Sequence, residues 1–332
     1  LAWNGYRHLE QYFATSGKGS ICHTINTRIF HEQIAYIVNH AKDKVIFCDL
    51  TFVPMFESIA NQLESVKAVV IMTDEKHMPK TVLNNLYCYE RLMKEANDDF
   101  VWPTIDERHA SSLCYSSGTT GNSKCVLYSH KNMLSNIKSV VNDFQFLSES
   151  IHLGVLPLGH TSITNYQFLP SLFVGSTLIL AENFNSVRAD IWKIVADFNI
   201  TYLQVVPTIL FAMMATPYDD EDVKSNSSLK YIGCGSAPLS IESQINFYKR
   251  FNVKVANLYG LSETGPSHFD NPLLSDWEPG SIGYPLTVND CKIFSKDLNE
   301  LKVGEIGQIG LKGDNDFDGY YKNKKDLSLI HI

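Results

Sequence analysis

Residues 115–124, YSSGTTGNSK, bring together two glycines, a row of hydroxyls and a terminal lysine. That donor set can wrap a polyphosphate: glycine allows close backbone approach and positive φ, while amides, hydroxyls and a cation face the anion. The spacing fits neither familiar phosphate loop. Gly121 follows Gly118 by three residues and Lys124 comes three later, so G-x-x-x-x-G-K-[ST] fails, as does G-x-G-x-x-G. Phosphate-facing candidates are the hydroxyls of Ser116, Ser117, Thr119 and Thr120, the ammonium of Lys124, and the backbone at Gly118 and Gly121. Serine, threonine and glycine also build ordinary surface loops, so composition alone leaves a solvent-exposed linker open.

Three further stretches carry candidate chemistry. NLYGLSETG, residues 257–265, sets an aromatic, a glycine, a hydroxyl and a carboxylate directly after an apolar strand pattern. At the carboxyl end of a strand, Tyr259, Ser262 and Glu263 could supply a stacking surface, a phosphate contact and a magnesium ligand. Taken alone, Glu263 reads more simply as the carboxylate of a helix start. GCGSAPLS, residues 233–240, is a glycine-rich strand exit leading to a helix that starts near Ser240; by itself it is a tight βα turn. LPLGHTSIT, residues 156–164, carries His160. No G-x-S-x-G or other serine-histidine-acid pattern accompanies it, so a structural histidine is the plainer reading.

The elements that must position these residues follow a strand-then-helix rhythm. DKVIFCD, KAVVIMTD, HLGVLPL, STLILA, TYLQVVP, LKYIGCG and VKVANLYG read as short buried strands. PMFESIANQL, RADIWKIVADFN and SIESQINFYKRFN have helical spacing between them. Such alternation predicts an α/β fold, with a mostly parallel sheet flanked by helices and ligands beyond the strands' carboxyl ends. SLCYSS and CVLYSH flank the phosphate-type loop as strands, so it cannot lean on a helix dipole. The next helix begins only after Ser129, a candidate N-cap. From about Trp277 the texture changes to short strands broken by glycine and proline, a small β subdomain. Residues 217–228, PYDDEDVKSNSS, read as a solvated acidic loop.

Composition bounds the function. The chain has 332 residues, 28 basic against 36 acidic, and a net charge of -8. That balance argues against a broad nucleic-acid face but not against a small anionic ligand. Seven scattered cysteines without a C-x-x-C pair read as free thiols of a reducing compartment. No apolar run of about 18 residues could span a membrane. Both ends read as cut, because the chain starts without methionine and LSLIHI stops abruptly.

In this order and spacing the segments resemble the adenylate-forming superfamily of acyl-CoA synthetases, luciferases and peptide-synthetase adenylation domains. YSSGTTGNSK resembles its signature loop [ST]-[ST]-G-[ST]-T-G-x-P-K-G, GCGSAPLS its adenine-side turn, and YGLSETG its Y-G-x-[ST]-E motif. GEIGQIGLKGDNDFDGYYKN resembles the stretch before the family's ribose-binding aspartate, and the likeness runs to about Asn323. The start of the chain is similar to bacterial medium- and long-chain fatty-acyl-CoA ligases. The resemblance implies two βα-layered subdomains over residues 1–276, the start of a small β subdomain over 277–326 and an off-pattern tail over 327–332, with the catalytic C-terminal domain absent.

It also implies roles. Ser116, Ser117, Thr119, Thr120 and Lys124, with Gly118 and Gly121, would face the outer phosphates of ATP; Ser262 would touch the α-phosphate and Glu263 would bind Mg²⁺. Gly235, Ser236, Ala237 and Tyr259 would line the adenine, Asn257 and Gly260 would belong to the nucleotide site, and His160 would lie near the substrate carboxylate or the acyl tunnel. The implied activity is ATP-dependent activation of a carboxylic acid, fatty in the favoured reading, followed by thioester formation with coenzyme A in the cytoplasm. The absence of an acid from LPLGHTSIT favours an acyl over an amino-acid substrate. Peripheral membrane contact, a homodimer, amino-acid or aryl-acid adenylation for a carrier protein, and a non-catalytic nucleotide-binding relative stay open. The sequence departs from the family at Ser123 and Cys125, where proline and glycine are usual. Asp314 precedes Gly319-Tyr320, whereas the family's ribose aspartate follows that pair, so Asp314 is not its counterpart.

Overall fold

The computed structural model describes residues 1–27, 29–116, 124–274 and 276–322. Two compact units form, Leu1–Cys125 with Pro157–His160, and Val126–Leu156 with Thr161–Ile332.

In the first unit the strands are β1 (Cys22–Thr24), β2 (Val45–Cys48), β3 (Ala68–Ile71), β4 (Leu86–Cys88) and β5 (Ala110–Ser116). β2, β3 and β4 pair in parallel in that order, and β1 pairs in parallel with β5. Side chains alternate across a strand, so Ile46, Cys48, Val69 and Ile71 share one face. There they meet Ile34, Ile37 and Val38 of helix His31–Ala41 and Val53, Phe56 and Ile59 of helix Val53–Ile59. Val70 and Met72 turn to the opposite face, against Ala2 and Tyr89.

β6 (Lys124–Ser129) leads into the second unit. Ser129 caps helix His130–Asp143 as its position predicts: its hydroxyl accepts from Asn132 N at 3.2 Å, while Asn132 Oδ1 accepts from Ser129 N at 2.9 Å. The main sheet uses β7 (Ile151–Gly154), β8 (Thr177–Leu180), β9 (Tyr202–Val205), β10 (Tyr231–Gly235), β11 (Val255–Leu261), β12 (Gly265–Phe269) and β13 (Tyr284–Pro285). Their order is β13-β12-β11-β10-β9-β7-β8, with β7 to β11 parallel and β12 and β13 antiparallel. A separate antiparallel hairpin joins β14 (Asn289–Phe294) to β15 (Gln308–Gly313).

Both faces of this sheet are covered, which explains its near-continuous apolar strands. Leu203, Val205, Ile232, Cys234 and Val255 pack on Trp192, Leu210, Met213, Phe247 and Phe251 of helices Ile191–Asp197, Pro207–Ala215 and Ile241–Phe251. Tyr202, Tyr231, Ala256 and Leu258 face the other way, onto Val140, Phe144 and Tyr166. Tyr166 belongs to a π-helical turn, Thr164–Phe168, within a helical stretch over residues 161–173. The expected α/β architecture of mostly parallel sheets flanked by helices is therefore observed, with the antiparallel β12 and β13 at one edge of the main sheet.

One expectation fails. Residues 217–228 are not all loop, because Asp220–Asn226 is a helix. Asp219 Oδ1 accepts from Asp222 N at 3.2 Å, and Asp220, Glu221 and Asp222 fill the first turn, where a helix favours negative charge. Only Val223 is buried in that helix, so no apolar period announces it. Among the described residues no helix is long and apolar enough to cross a membrane, and all seven cysteines are free thiols.

Candidate functional site

β10 is buried along its whole length and ends at Gly235. A Cβ on Gly235 would lie 2.6 Å from the Leu258 carbonyl oxygen and 2.9 Å from Leu258 Cβ, so β11 leaves room only for glycine. Ser236 then takes a left-handed conformation with φ 68°, which turns the chain sharply out of the sheet. Ser236 and Ala237 are exposed at that exit. The next helix, Ile241–Phe251, is capped by Ser240, whose hydroxyl accepts from Ser243 N at 3.1 Å.

On the adjacent β11, Asn257 is buried and its Nδ2 donates to Ser281 O at 2.7 Å. Tyr259 is half-buried, its ring edge-on to His268 at 5.6 Å. The pairing with β12 shifts register between Tyr259 and Gly260, a bulge that re-aims the strand end. A side chain at 260 would strike the Gly265 carbonyl and the Tyr166 hydroxyl.

Ser262, Glu263 and Thr264 form the turn between β11 and β12, so Glu263 starts no helix; it sits at a hairpin tip. Each carbonyl of this turn is tied down. Tyr128 Oη donates to Ser262 O, Phe317 N donates to Glu263 O at 2.9 Å, and Asn315 Nδ2 donates to Thr264 O at 2.7 Å. The Glu263 carboxylate accepts from Tyr320 Oη at 2.6 Å on Oε1. Sequence reasoning gave none of Tyr128, Asn315, Phe317 and Tyr320 a role at the site; Tyr320 served there only as part of the Gly319-Tyr320 landmark. Asp314, set aside there, forms an exposed ion pair with Lys131 at 2.8 Å.

Among the described residues no three His, Cys, Asp or Glu side chains gather around a metal position. A single turn carboxylate nonetheless suits Mg²⁺, which is held by one or two carboxylates with water and phosphate oxygens completing its octahedron. Glu263 fits that donor set, whereas it could not make an all-protein cage.

The remaining candidates fall in the first unit. Ser117, Gly118, Thr119, Thr120, Gly121 and Ser123 lie outside the described residues, and Ser116 is described only as the last residue of β5. Lys124 opens β6 and is half-buried. Cys125 follows inside β6 and is buried, so the glycine-like flexibility expected at this position falls within an extended strand. Tyr115 Oη lies 2.7 Å from His40 Nδ1, and burial, followed by the neighbouring Cys125 thiol, pushes the phenol pKa up. His160 sits in the bend before Thr161, its N donating to Pro157 O at 3.0 Å. More than a third of that residue's surface is exposed, yet crowding around the ring desolvates it and lowers its pKa.

Comparison with known proteins gives the family of the chain. The chain is 35% identical to the medium-chain-fatty-acid–CoA ligase of Ectopseudomonas oleovorans over 268 residues, covering 80% of this chain and 48% of that protein. It is 34% identical to the 3-methylmercaptopropionyl-CoA ligase of Ruegeria pomeroyi, over 97% of this chain and 62% of the relative. The chain thus spans about half to three fifths of these relatives' length. Its fold matches the crystal structure of ATP-bound MatB from Rhodopseudomonas palustris with a TM-score of 0.85 at 23% identity, over 99% of this chain and 62% of that one. Residues 1–321 match the family described as AMP-binding enzyme, and the chain belongs to that family.

Proposed function

We propose that this chain provides the nucleotide- and acid-binding part of an AMP-forming acid–thiol ligase. The observation that carries the reading is the β11–β12 turn. Its three carbonyls are fixed by hydrogen bonds, so that Ser262 and Glu263 are held just past the end of a central sheet strand. In this reading Ser262 contacts the α-phosphate and Glu263 holds Mg²⁺. Gly235, Ser236, Ala237 and Tyr259 line the adenine, and Asn257 and Gly260 belong to the nucleotide site. Lys124, with Ser116, Ser117, Gly118, Thr119, Thr120 and Gly121, acts on the outer phosphates, and His160 on the acid.

A carboxylate oxygen of the acid attacks the α-phosphorus and pyrophosphate leaves; the thiol of coenzyme A then attacks the acyl carbon and AMP leaves. Little covalent chemistry falls to the protein, whose work is positioning and stabilising phosphate charge. Mg²⁺, when bound, neutralises phosphate oxygens. The relatives named for a medium-chain fatty acid and for 3-methylmercaptopropionate support an aliphatic acid, and a fatty acid is the substrate proposed. Pyrophosphate–ATP exchange by the full-length protein, with a panel of fatty, aryl and amino acids, tests it; the 332 residues alone are expected to show negligible ligation. Exchange stimulated by fatty acids is expected, and stimulation by amino acids alone would overturn the assignment.

A further inference from the structure

Glu263 does not hold its own orientation. Its carboxylate Oε1 accepts from Tyr320 Oη at 2.6 Å, a bond between residues 57 apart in sequence. Tyr320 is buried and in turn anchored. Its backbone makes an antiparallel bridge with Val126, and its ring meets that of Phe317 edge-on at 5.0 Å. Phe317 N donates to the Glu263 carbonyl at 2.9 Å, so one short segment grips both the backbone and the side chain of Glu263. The start of that segment is fixed as well. Asn132 Nδ2, on the capped helix His130–Asp143, donates to Asp314 O at 3.1 Å and Asp316 O at 2.7 Å.

We infer that Tyr320 is the positioning residue for the Glu263 carboxylate, holding one oxygen so that the other is presented to a divalent cation bound with the phosphates of a nucleotide. This rests on the reading of Glu263 as the metal ligand. The choice of a phenol has a physical reason. A carboxylate with one oxygen tied by a charge-assisted O–H bond loses its rotational freedom yet keeps its charge. A lysine or arginine in the same place would neutralise it and compete with the cation. Partners that orient a metal ligand in this way commonly alter metal affinity without touching the metal.

The test is a Mn²⁺ titration followed by electron paramagnetic resonance, with ATP present, beside calorimetry of ATP binding in EDTA. Tyr320→Phe keeps the ring and removes the hydroxyl. It should weaken Mn²⁺ binding about tenfold, the lower end of what losing such a partner costs, while metal-free ATP binding stays unchanged. In a Glu263→Ala background it should add nothing. Equal weakening of metal-free ATP binding would mean that Tyr320 serves packing alone, which overturns the inference. Normal Mn²⁺ affinity in Tyr320→Phe beside weakened affinity in Glu263→Ala overturns it too, leaving Glu263 as the ligand. Unchanged Mn²⁺ affinity in Glu263→Ala removes the metal reading itself. Tyr320→Met, which also lacks the hydroxyl and can refill part of the space, repeats the comparison should the phenylalanine variant fold poorly.

Discussion

Gly235 and Ser236 at the exit of β10, and Ser262 and Glu263 in the β11–β12 turn, lie on neighbouring strands and are fixed by different means. The β10 exit is shaped by exclusion: Leu258 leaves no space for a side chain at 235, and Ser236 is pressed into a left-handed conformation. The β11–β12 turn is shaped by attachment, with Tyr128, Asn315, Phe317 and Tyr320 each supplying a donor. An exposed, sterically defined backbone corner suits a flat ligand that slides against it. In the proposed function Glu263 meets a cation, and a carboxylate in that role needs directional bonds, because its usefulness depends on the angle of one oxygen. The comparison teaches that neighbouring parts of one candidate site can differ in what a mutation breaks.

Three substitutions test that contrast, from the strongest downward. Gly235→Ala drives a methyl into a backbone carbonyl that cannot rotate away, and it should cost about 3 kcal/mol in urea denaturation. A loss below about 1 kcal/mol would mean that β10 and β11 part easily, and the steric account would fail. Asn315→Ala deletes the donor to Thr264 O and a second bond, at 3.0 Å, to Asn289 Oδ1. With a carbonyl left unsatisfied, about 2 kcal/mol should be lost, and slower hydrogen exchange in the turn than in the unmodified chain would contradict the attachment account. Ser236→Gly is the smallest. Relief of the left-handed strain, set against glycine's freer unfolded chain, should stabilise by about 0.5 kcal/mol, read as a slightly higher midpoint. Destabilisation there would show that the serine side chain makes contacts outweighing the strain.

Much of the frame was legible in the sequence. The five parallel strands of the main sheet, β7 to β11, appeared as short apolar runs, whereas β12 did not, and the Ser129 cap was visible three residues before its partner Asn132. The helix Asp220–Asn226 was not, since one buried residue carries no period. Glu263 was legible as a candidate ligand, but alone it read as a helix start; the chain instead turned back as a hairpin, because β12 returns antiparallel along β11. The phosphate-type loop was legible only through its resemblance to the family's signature loop, and the strands expected to flank it, β5 and β6, are both present.

By itself the sequence determined the α/β class, the strand exits that carry the candidate residues, and the segments that resemble the AMP-binding enzymes. Those signals are local: period, capping and glycine placement act over a few residues. Only the tertiary structure decided which groups hold the candidate residues in place. Tyr128 reaches Ser262 across 134 positions, Tyr320 reaches Glu263 across 57, and Asn315 reaches Thr264 across 51. A hydrogen bond depends on distance and angle in space, and no local pattern encodes which distant donor the folded sheet will bring to a given carbonyl.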